Sequence, residues 1–138
     1  MIDSQPDWFK KALSVKKEQK IIEVEEGEIF YQHWGDKSKP GIVLVHGSGS
    51  HSHWWDFIAP QLLETFQVSA IDLSGMGESS HRGDYSPELY AKEILSVAED
   101  SGFFQVGKPI ICGHSMGGFM TATAGYITDK ELTGVIMI

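Results

Sequence analysis

The sequence predicts an α/β protein with a mostly parallel sheet that begins with an N-terminal hairpin. Two observations support this fold class. Short aliphatic runs, the first at residues 42–45, lack polar alternation, which is typical of strands buried on both faces of a parallel sheet. Segments with helical spacing alternate with these runs, and that alternation favours right-handed crossovers between parallel strands.

The first third of the chain predicts a helix, a hairpin and a buried strand. Asp7–Leu13 places apolar residues at helical spacing behind a candidate capping aspartate. Two strands are expected around residues 21–24 and 28–34, joined by residues 25–27, whose glycine suits a tight turn. A turn at residues 36–41, which ends in a proline and a glycine, then leads into the buried strand at residues 42–45.

Helices and strands continue to alternate toward the C-terminus. The pattern predicts a helix over residues 54–65 and a buried strand over residues 67–72. Ser86, Pro87 and Glu88 provide a capping serine, a proline at the first helical position and an acid in the first turn, which predicts a helix that ends near residue 101. The remaining segments predict a strand, a helix and a strand in turn: residues 109–112, Met116–Ile127 and residues 134–138.

Composition narrows the classes of function. A chain of 138 residues suffices for one domain, and its apolar runs are too short to cross a bilayer. Residues 1–7 lack the features of a secretory signal, so we expect a cytoplasmic protein without a membrane partner. The net charge of −8 repels phosphate backbones, which argues against nucleic acid as a partner. With Cys112 as the single cysteine, an all-cysteine metal site is excluded.

The segment from Gly113 to Gly117 carries the strongest chemical signal. It reads Gly-His-Ser-Met-Gly and lies between a predicted strand and a predicted helix. In that context a Gly-x-Ser-x-Gly pattern forms a sharp turn that exposes the serine hydroxyl at the carboxyl end of the strand. We therefore expect Ser115 to be a nucleophile. The alternative is a glycine-rich turn with a structural role alone.

Two backbone N–H groups are candidates for stabilising the charge that such a nucleophile creates. Attack of a hydroxyl on a carbonyl forms an oxyanion, which needs fixed hydrogen-bond donors. Met116 begins a helix, so its N–H is aided by the helix dipole. Ser48 follows His46 and Gly47 directly after a buried strand, which places its N–H at the same edge of the sheet. The alternative for this loop is a flexible Gly/Ser segment without a catalytic part.

Three motifs, taken in their order along the chain, resemble the α/β-hydrolase superfamily of the type that has a cap domain. They are His46-Gly47, the run Asp-Leu-Ser-Gly-Met-Gly-Glu-Ser at residues 72–79, and Gly-His-Ser-Met-Gly-Gly at residues 113–118. The resemblance covers about residues 21–138. It implies the α/β-hydrolase fold, of which this chain is expected to form the N-terminal portion of the core domain.

The resemblance also implies roles for individual residues. Ser115 is expected to be the nucleophile, and the N–H groups of Ser48 and Met116 are expected to form the oxyanion hole. Asp72 and its glycine turn are expected to shape the wall of the site without taking part in the chemistry. The residues expected to contact substrate are His46, Gly47, His114 and Trp54.

The chain lacks the other members of a catalytic triad. In the superfamily an acid and then a histidine follow the serine along the chain. Here no histidine follows His114, and the acids at 129 and 131 precede the next predicted strand. A serine without a base is a poor nucleophile at neutral pH. We therefore expect the cap, the remaining strands, the acid and the histidine after residue 138 or on a complementary chain, and we expect residues 1–138 alone to be inactive.

The leading hypothesis is a serine hydrolase that cleaves a small carboxylic ester or related acyl bond through an acyl-enzyme on Ser115. Its expected partner is a small-molecule acyl substrate, and no cofactor or metal is expected. A C–C bond hydrolase, an acyltransferase and a cofactor-free peroxidase use the same residues and stay open. A serine at this position disfavours epoxide hydrolases and haloalkane dehalogenases, which use aspartate. The rival from another class is a ligand receptor or interaction protein on this fold.

Weaker signals have two interpretations each. The His-x-His pattern at residues 51–53 has no neighbouring cysteine or carboxylate ligand, so a polar loop is favoured over a metal site. Trp54 and Trp55 either line an acyl pocket or, for at least one of them, join the core. His81 and Arg82 either face the substrate or are solvated turn residues.

Overall fold

A computed structural model describes residues 4–138, and within them one six-stranded sheet has the order β1-β2-β4-β3-β5-β6. The strands are β1 Glu18–Val24, β2 Gly27–Trp34, β3 Gly41–Val45, β4 Gln67–Ile71, β5 Ile110–Gly113 and β6 Gly134–Met137. The helices are α1 Asp7–Leu13, α2 Pro87–Asp100, α3 Phe103–Val106 and α4 Met116–Ile127. Strand β2 pairs antiparallel with β1 and β4, and the other pairs are parallel. The predicted fold class, including the N-terminal hairpin, is confirmed.

The parallel strands bring three loops to one edge of the sheet. Val45, the last residue of β3, pairs with Ile71 at the end of β4 and with Gly113 at the end of β5. All residues of β3 and β4 are buried, as expected of strands that have neighbours on both sides in the middle of the sheet. Chain segments that leave these three strands therefore lie side by side, which is where a site is expected in an open α/β sheet.

The cap of helix α2 matches its prediction. Ser86 has extended backbone angles, and its Oγ accepts a hydrogen bond of 3.1 Å from the N–H of Leu89. Pro87 occupies the first helical position, where a missing N–H costs nothing. Since α2 runs from the end of β4 back to the start of β5, this cap fixes the helix beside the loop that follows β4.

The helix predicted over residues 54–65 is wrong. Two short 3-10 turns, Ser52–Trp55 and Ala59–Leu62, occupy this part of the chain. Pro60 provides the physical reason: it has no N–H to donate to the carbonyl four residues earlier, and its ring clashes with that carbonyl in a continuous α-helix. The segment keeps Trp55 buried in the core, whereas Trp54 is half exposed.

The turn between β1 and β2 differs from its prediction in which residues take the left-handed conformation. Glu25 and Glu26 have φ angles of 49° and 63°, while Gly27 begins β2. A Cβ atom at position 27 would lie 2.7 Å from the guanidinium carbon of Arg82, so a larger residue there would displace that side chain. That guanidinium donates 2.7 Å hydrogen bonds to the carbonyls of Glu25 and Val24. Arg82 is therefore neither a solvated turn residue nor turned toward a substrate.

The core lies on both sides of the sheet. On one side α2 and α4 pack on the sheet through residues such as Ile94, Val97 and Ala124. On the other side Trp34 and Trp55 cover the strands, together with the 3-10 turns. Within the described residues, no helix combines the length and the apolar character that a membrane span requires.

Candidate active site

Ser115 occupies a strained turn between β5 and α4. Its backbone angles are φ 55° and ψ −123°, and its side chain is exposed. A non-glycine residue rarely adopts a positive φ, so the surrounding structure must hold it there. Two bonds to the end of the chain do so in part, because the N–H of Ser115 donates to the Ile138 carbonyl at 2.8 Å, and the N–H of Ile138 donates to the Gly113 carbonyl at 2.9 Å.

The glycines on either side of Ser115 are required by close approaches. A Cβ atom on Gly113 would lie 2.2 Å from the Gly117 carbonyl oxygen and 2.5 Å from Thr121 Oγ1. A Cβ atom on Gly117 would lie 2.3 Å from the His46 carbonyl oxygen and 2.7 Å from that of Val45. Neither position therefore accepts a side chain without moving backbone. The first turn of α4 packs directly on β5 and on the chain that leaves β3.

The β3 loop, which we define as residues 46–55, reaches the nucleophile through Gly47. A Cβ atom on Gly47 would lie 3.4 Å from Ser115 Cβ, so the loop backbone packs against the serine. In the described part of the chain, no acceptor takes the backbone N–H of Ser48 or that of Met116. Two unpaired donors therefore lie on the two segments that meet at Ser115. Their service as an oxyanion hole stays a prediction.

The His46 ring is fully buried and both of its nitrogens are engaged. Nε2 accepts a 3.0 Å hydrogen bond from the N–H of Leu73, so the ring proton lies on Nδ1, which donates to the Gly47 carbonyl at 2.8 Å. Burial lowers the pKa of His46, which favours this neutral form. The predicted contact between His46 and substrate does not fit this geometry, because the ring is buried and both of its nitrogens bind backbone groups of the β3 loop and of Leu73.

An aromatic stack flanks the serine. The rings of Trp54 and His114 have centroids 6.2 Å apart and planes inclined by 21°. Trp54 is 50% exposed, so part of the indole remains accessible to a ligand. His114 also lies against the β3 loop, since a Cβ atom on Gly47 would be 3.1 Å from its Nδ1. Of the predicted substrate contacts, Gly47, His114 and Trp54 are therefore close to Ser115 or to its immediate neighbour.

Asp72 lies under the site and joins two loops. Its side chain is buried, and Oδ1 accepts a 2.6 Å hydrogen bond from the N–H of Ser52 in the β3 loop. Oδ2 accepts a 2.9 Å bond from the N–H of Glu78 in the β4 loop, which we define as residues 72–80. Gly77 has φ 56°, and a Cβ atom there would lie 2.1 Å from Asp72 Oδ2.

A buried ion pair behind the β4 loop was missed from the sequence. Glu93 is fully buried on α2, and its Oε1 accepts bonds of 3.1 Å and 3.0 Å from Arg82 Nε and Nη2. Its Oε2 accepts a 3.0 Å bond from the N–H of Ser74. An acidic residue on a helix ordinarily indicates the solvent-exposed face. The position of Glu93 on the same face of α2 as the apolar core residues was the only feature of the sequence that indicated a buried acid.

No base for the serine is present in the described residues. Ser115 Oγ has no hydrogen bond to a histidine or a carboxylate there, and Glu131 forms a surface ion pair with Lys108 at 2.9 Å. His53, from the His-x-His pattern, pairs with Asp56 at 2.8 Å. The same part of the chain also contains no group of three or more potential metal-ligating side chains.

Comparison with known proteins gives consistent matches. A model of the alpha/beta hydrolase family matches residues 42–137. An uncharacterized protein of Mycobacterium tuberculosis is 37% identical over 105 residues, which are 73% of this chain and 29% of that protein. A pimeloyl-[acyl-carrier protein] methyl ester esterase of Klebsiella pneumoniae is 28% identical over 97 residues, which are 70% of this chain and 35% of the esterase.

Solved structures agree with these matches. The thioesterase domain from the curacin biosynthetic pathway superposes with a TM-score of 0.76 at 25% sequence identity. The superposition covers 89% of this chain and 46% of that domain. The chain thus spans less than half of the length of each of these three proteins.

Proposed function

The chain belongs to the alpha/beta hydrolase family, and from that membership we propose that it carries the nucleophile of a serine hydrolase. The reaction is cleavage of a small carboxylic ester or a related acyl bond. The observation that carries the proposal is the strained backbone of Ser115, at φ 55°, next to the unpaired N–H groups of Ser48 and Met116. Strain of this kind is retained where it exposes a reacting group.

The reaction follows from these groups in two stages. A base removes the Ser115 hydroxyl proton as Oγ attacks the acyl carbon, and the resulting oxyanion accepts hydrogen bonds from the N–H groups of Ser48 and Met116. The C–O bond to the alcohol then breaks, and the alcohol leaves with the proton from the base. Water then gives a proton to the base as it attacks the acyl carbon. The bond between that carbon and Ser115 Oγ breaks as the base returns the proton to Oγ, which releases the carboxylic acid and the free serine.

The base and its orienting acid are proposed to lie in polypeptide that follows residue 138. The matched relatives are longer than this chain, and β6 ends beside the nucleophile, with exposed apolar side chains at Met137 and Ile138. A further strand would pair with the free backbone edge of β6, and helices packed on the sheet would cover these side chains. We call residues 1–138 together with that polypeptide the complete protein.

The substrate is proposed to be a small acyl compound that packs on the exposed part of Trp54. The indole lies on His114, next to the nucleophile, and offers a flat apolar wall. The names of two similar proteins describe a methyl ester esterase and a thioesterase, both of which act on acyl groups. We propose a cytoplasmic location. We also propose that the protein acts without a membrane or a nucleic acid partner.

The test is labelling of the complete, folded protein with a fluorophosphonate, a reagent that forms a covalent bond only with an activated serine. We expect stoichiometric modification, with the mass increase on the peptide that contains Ser115. The Ser115→Ala variant is the control and should remain unlabelled. Folded wild-type protein that stays unmodified would instead support a ligand receptor that keeps the turn and has lost the chemistry.

A further inference from the structure

The β3 loop is fastened to the β4 loop on both sides of Ser48. On one side the N–H of Leu73 donates to His46 Nε2 at 3.0 Å. On the other side the N–H of Ser52 donates to Asp72 Oδ1 at 2.6 Å. Between these two bonds the loop contains two glycines and the Ser50 N–H to Gly47 carbonyl bond of 3.2 Å. The position of the Ser48 N–H therefore depends on anchors supplied by the neighbouring loop.

Asp72 is built to be one of these anchors. Its side chain is 1% exposed, and in the described residues no lysine or arginine forms an ion pair with it. Its two oxygens instead accept the N–H groups of Ser52 and Glu78, one from each loop. Bonds from N–H groups to a buried carboxylate are short and strong. Because Gly77 leaves room for Oδ2, the β4 turn is shaped around this carboxylate.

We propose that Asp72 is a positioning residue that sets the location of the Ser48 N–H relative to Ser115. This inference rests on the proposed serine hydrolase function, since it concerns the donor that would stabilise the oxyanion. Asp72 does not reach substrate or the reacting atoms. It acts through the N–H of Ser52, which begins the 3-10 turn that also carries Trp54 onto His114.

The magnitude follows from the role of the donor. Removing one oxyanion donor costs on the order of 10²–10³ in kcat, and a misplacement of about 1 Å costs on the order of 10². Weakening one of two anchors displaces the N–H without deleting it. The loss should appear in kcat and in the binding of tetrahedral adducts, and only weakly in KM, because ground-state substrate makes little use of the donor.

The first test compares Asp72→Asn with Asp100→Asn in the complete protein. Asparagine presents an NH₂ group to one of the two N–H donors, so either the β3 loop or the β4 loop loses its acceptor. Asp100 is the last residue of α2 and accepts the hydroxyl of buried Tyr31 at 2.5 Å, and it bonds to neither loop, which makes it a control for lost stability. We expect Asp72→Asn to lower kcat about 10–100-fold with KM changed less than about 3-fold. The affinity for benzeneboronic acid, which forms a tetrahedral adduct, should fall in proportion to kcat.

A second pair of variants retains the Asp72 carboxylate but displaces it in one of the two, and serves where Asp72→Asn does not fold. Gly77→Ala puts a Cβ atom 2.1 Å from Asp72 Oδ2, whereas Gly102→Ala has its nearest atom at 3.8 Å. The two glycines have φ angles of 56° and 75°, so the backbone strain is matched. We expect Gly77→Ala alone to lose kcat and boronic acid affinity.

Each outcome bears either on the serine hydrolase function or on the role of Asp72. Wild-type protein without Ser115-dependent turnover rejects the proposed function and this inference together. Active wild type with folded Asp72→Asn at unchanged kcat and boronic acid affinity rejects this inference alone. An increase in KM without a loss in kcat also rejects it, because Asp72 would then shape only the substrate pocket. Equal losses in Gly77→Ala and Gly102→Ala would reject it as well, since general strain would then explain the effect.

Discussion

Ser115→Ala is expected to lower kcat for ester hydrolysis by the complete protein about 10⁴–10⁶-fold, as removal of the nucleophile does in other serine hydrolases. The substitution removes only the hydroxyl group. The acyl-enzyme can then no longer form, while the unpaired N–H groups remain. Alanine and serine have the same steric preference at φ 55°, so the fold should be kept. Initial rates with p-nitrophenyl acetate measure the loss, and near-ultraviolet circular dichroism checks the fold.

The matched control for this substitution is Ser96→Ala. Ser96 lies on α2, away from the edge of the sheet that carries Ser115. It should leave kcat within about 2-fold of wild type, as expected of a surface substitution that touches no active-site group. A folded Ser115→Ala protein that retained more than about one hundredth of the wild-type kcat would contradict the assignment of the nucleophile.

Glu93→Ala is expected to lower the free energy of unfolding by about 3–5 kcal/mol, which is the usual cost of removing one partner of a buried ion pair. The guanidinium of Arg82, whose side chain is only 9% exposed, would lose its carboxylate. The N–H of Ser74 would lose its acceptor at the same time. Urea denaturation followed by tryptophan fluorescence measures the change.

Glu131→Ala is the control for the loss of a carboxylate at the surface. Its pair with Lys108 has side chains that are 78% and 57% exposed, so the free energy of unfolding should change by less than about 1 kcal/mol. Equal losses in the two variants would show that the buried Arg82–Glu93 pair contributes no more to the free energy of unfolding than a surface pair. A loss below about 1 kcal/mol in Glu93→Ala would do the same.

Local patterns predicted most of the fold because most of its elements are specified locally. An aliphatic run without polar residues is sufficient for β3, and β4 is equally buried although two of its five residues are polar. Helix α4 begins and ends at the predicted residues, since a strand-to-helix turn at Ser115 fixes its start. The error at residues 54–65 arose where helical spacing competes with Pro60 and with contacts from elsewhere, such as Gln32 to Asp56 at 3.1 Å.

The candidate site was predictable to the extent that it depends on backbone shape. The Gly-x-Ser-x-Gly pattern predicted the position of Ser115 because the close approaches at Gly113 and Gly117 exclude any other residue type. The interactions that hold the site join residues far apart along the chain. His46 meets Leu73 across 27 residues, and Arg82 meets the Val24 carbonyl across 58. No local pattern predicts such pairs.

The central claim is that Ser115 forms a covalent acyl intermediate, and rapid acid quenching tests it most directly. The complete protein is mixed with p-nitrophenyl acetate, quenched within the first turnover and digested for mass spectrometry. We predict the added mass of one acetyl group on the peptide that contains Ser115, and none there in Ser115→Ala. Turnover by wild-type protein without an acetylated Ser115 peptide at any quench time, or with the acetyl group on another residue, would contradict the claim.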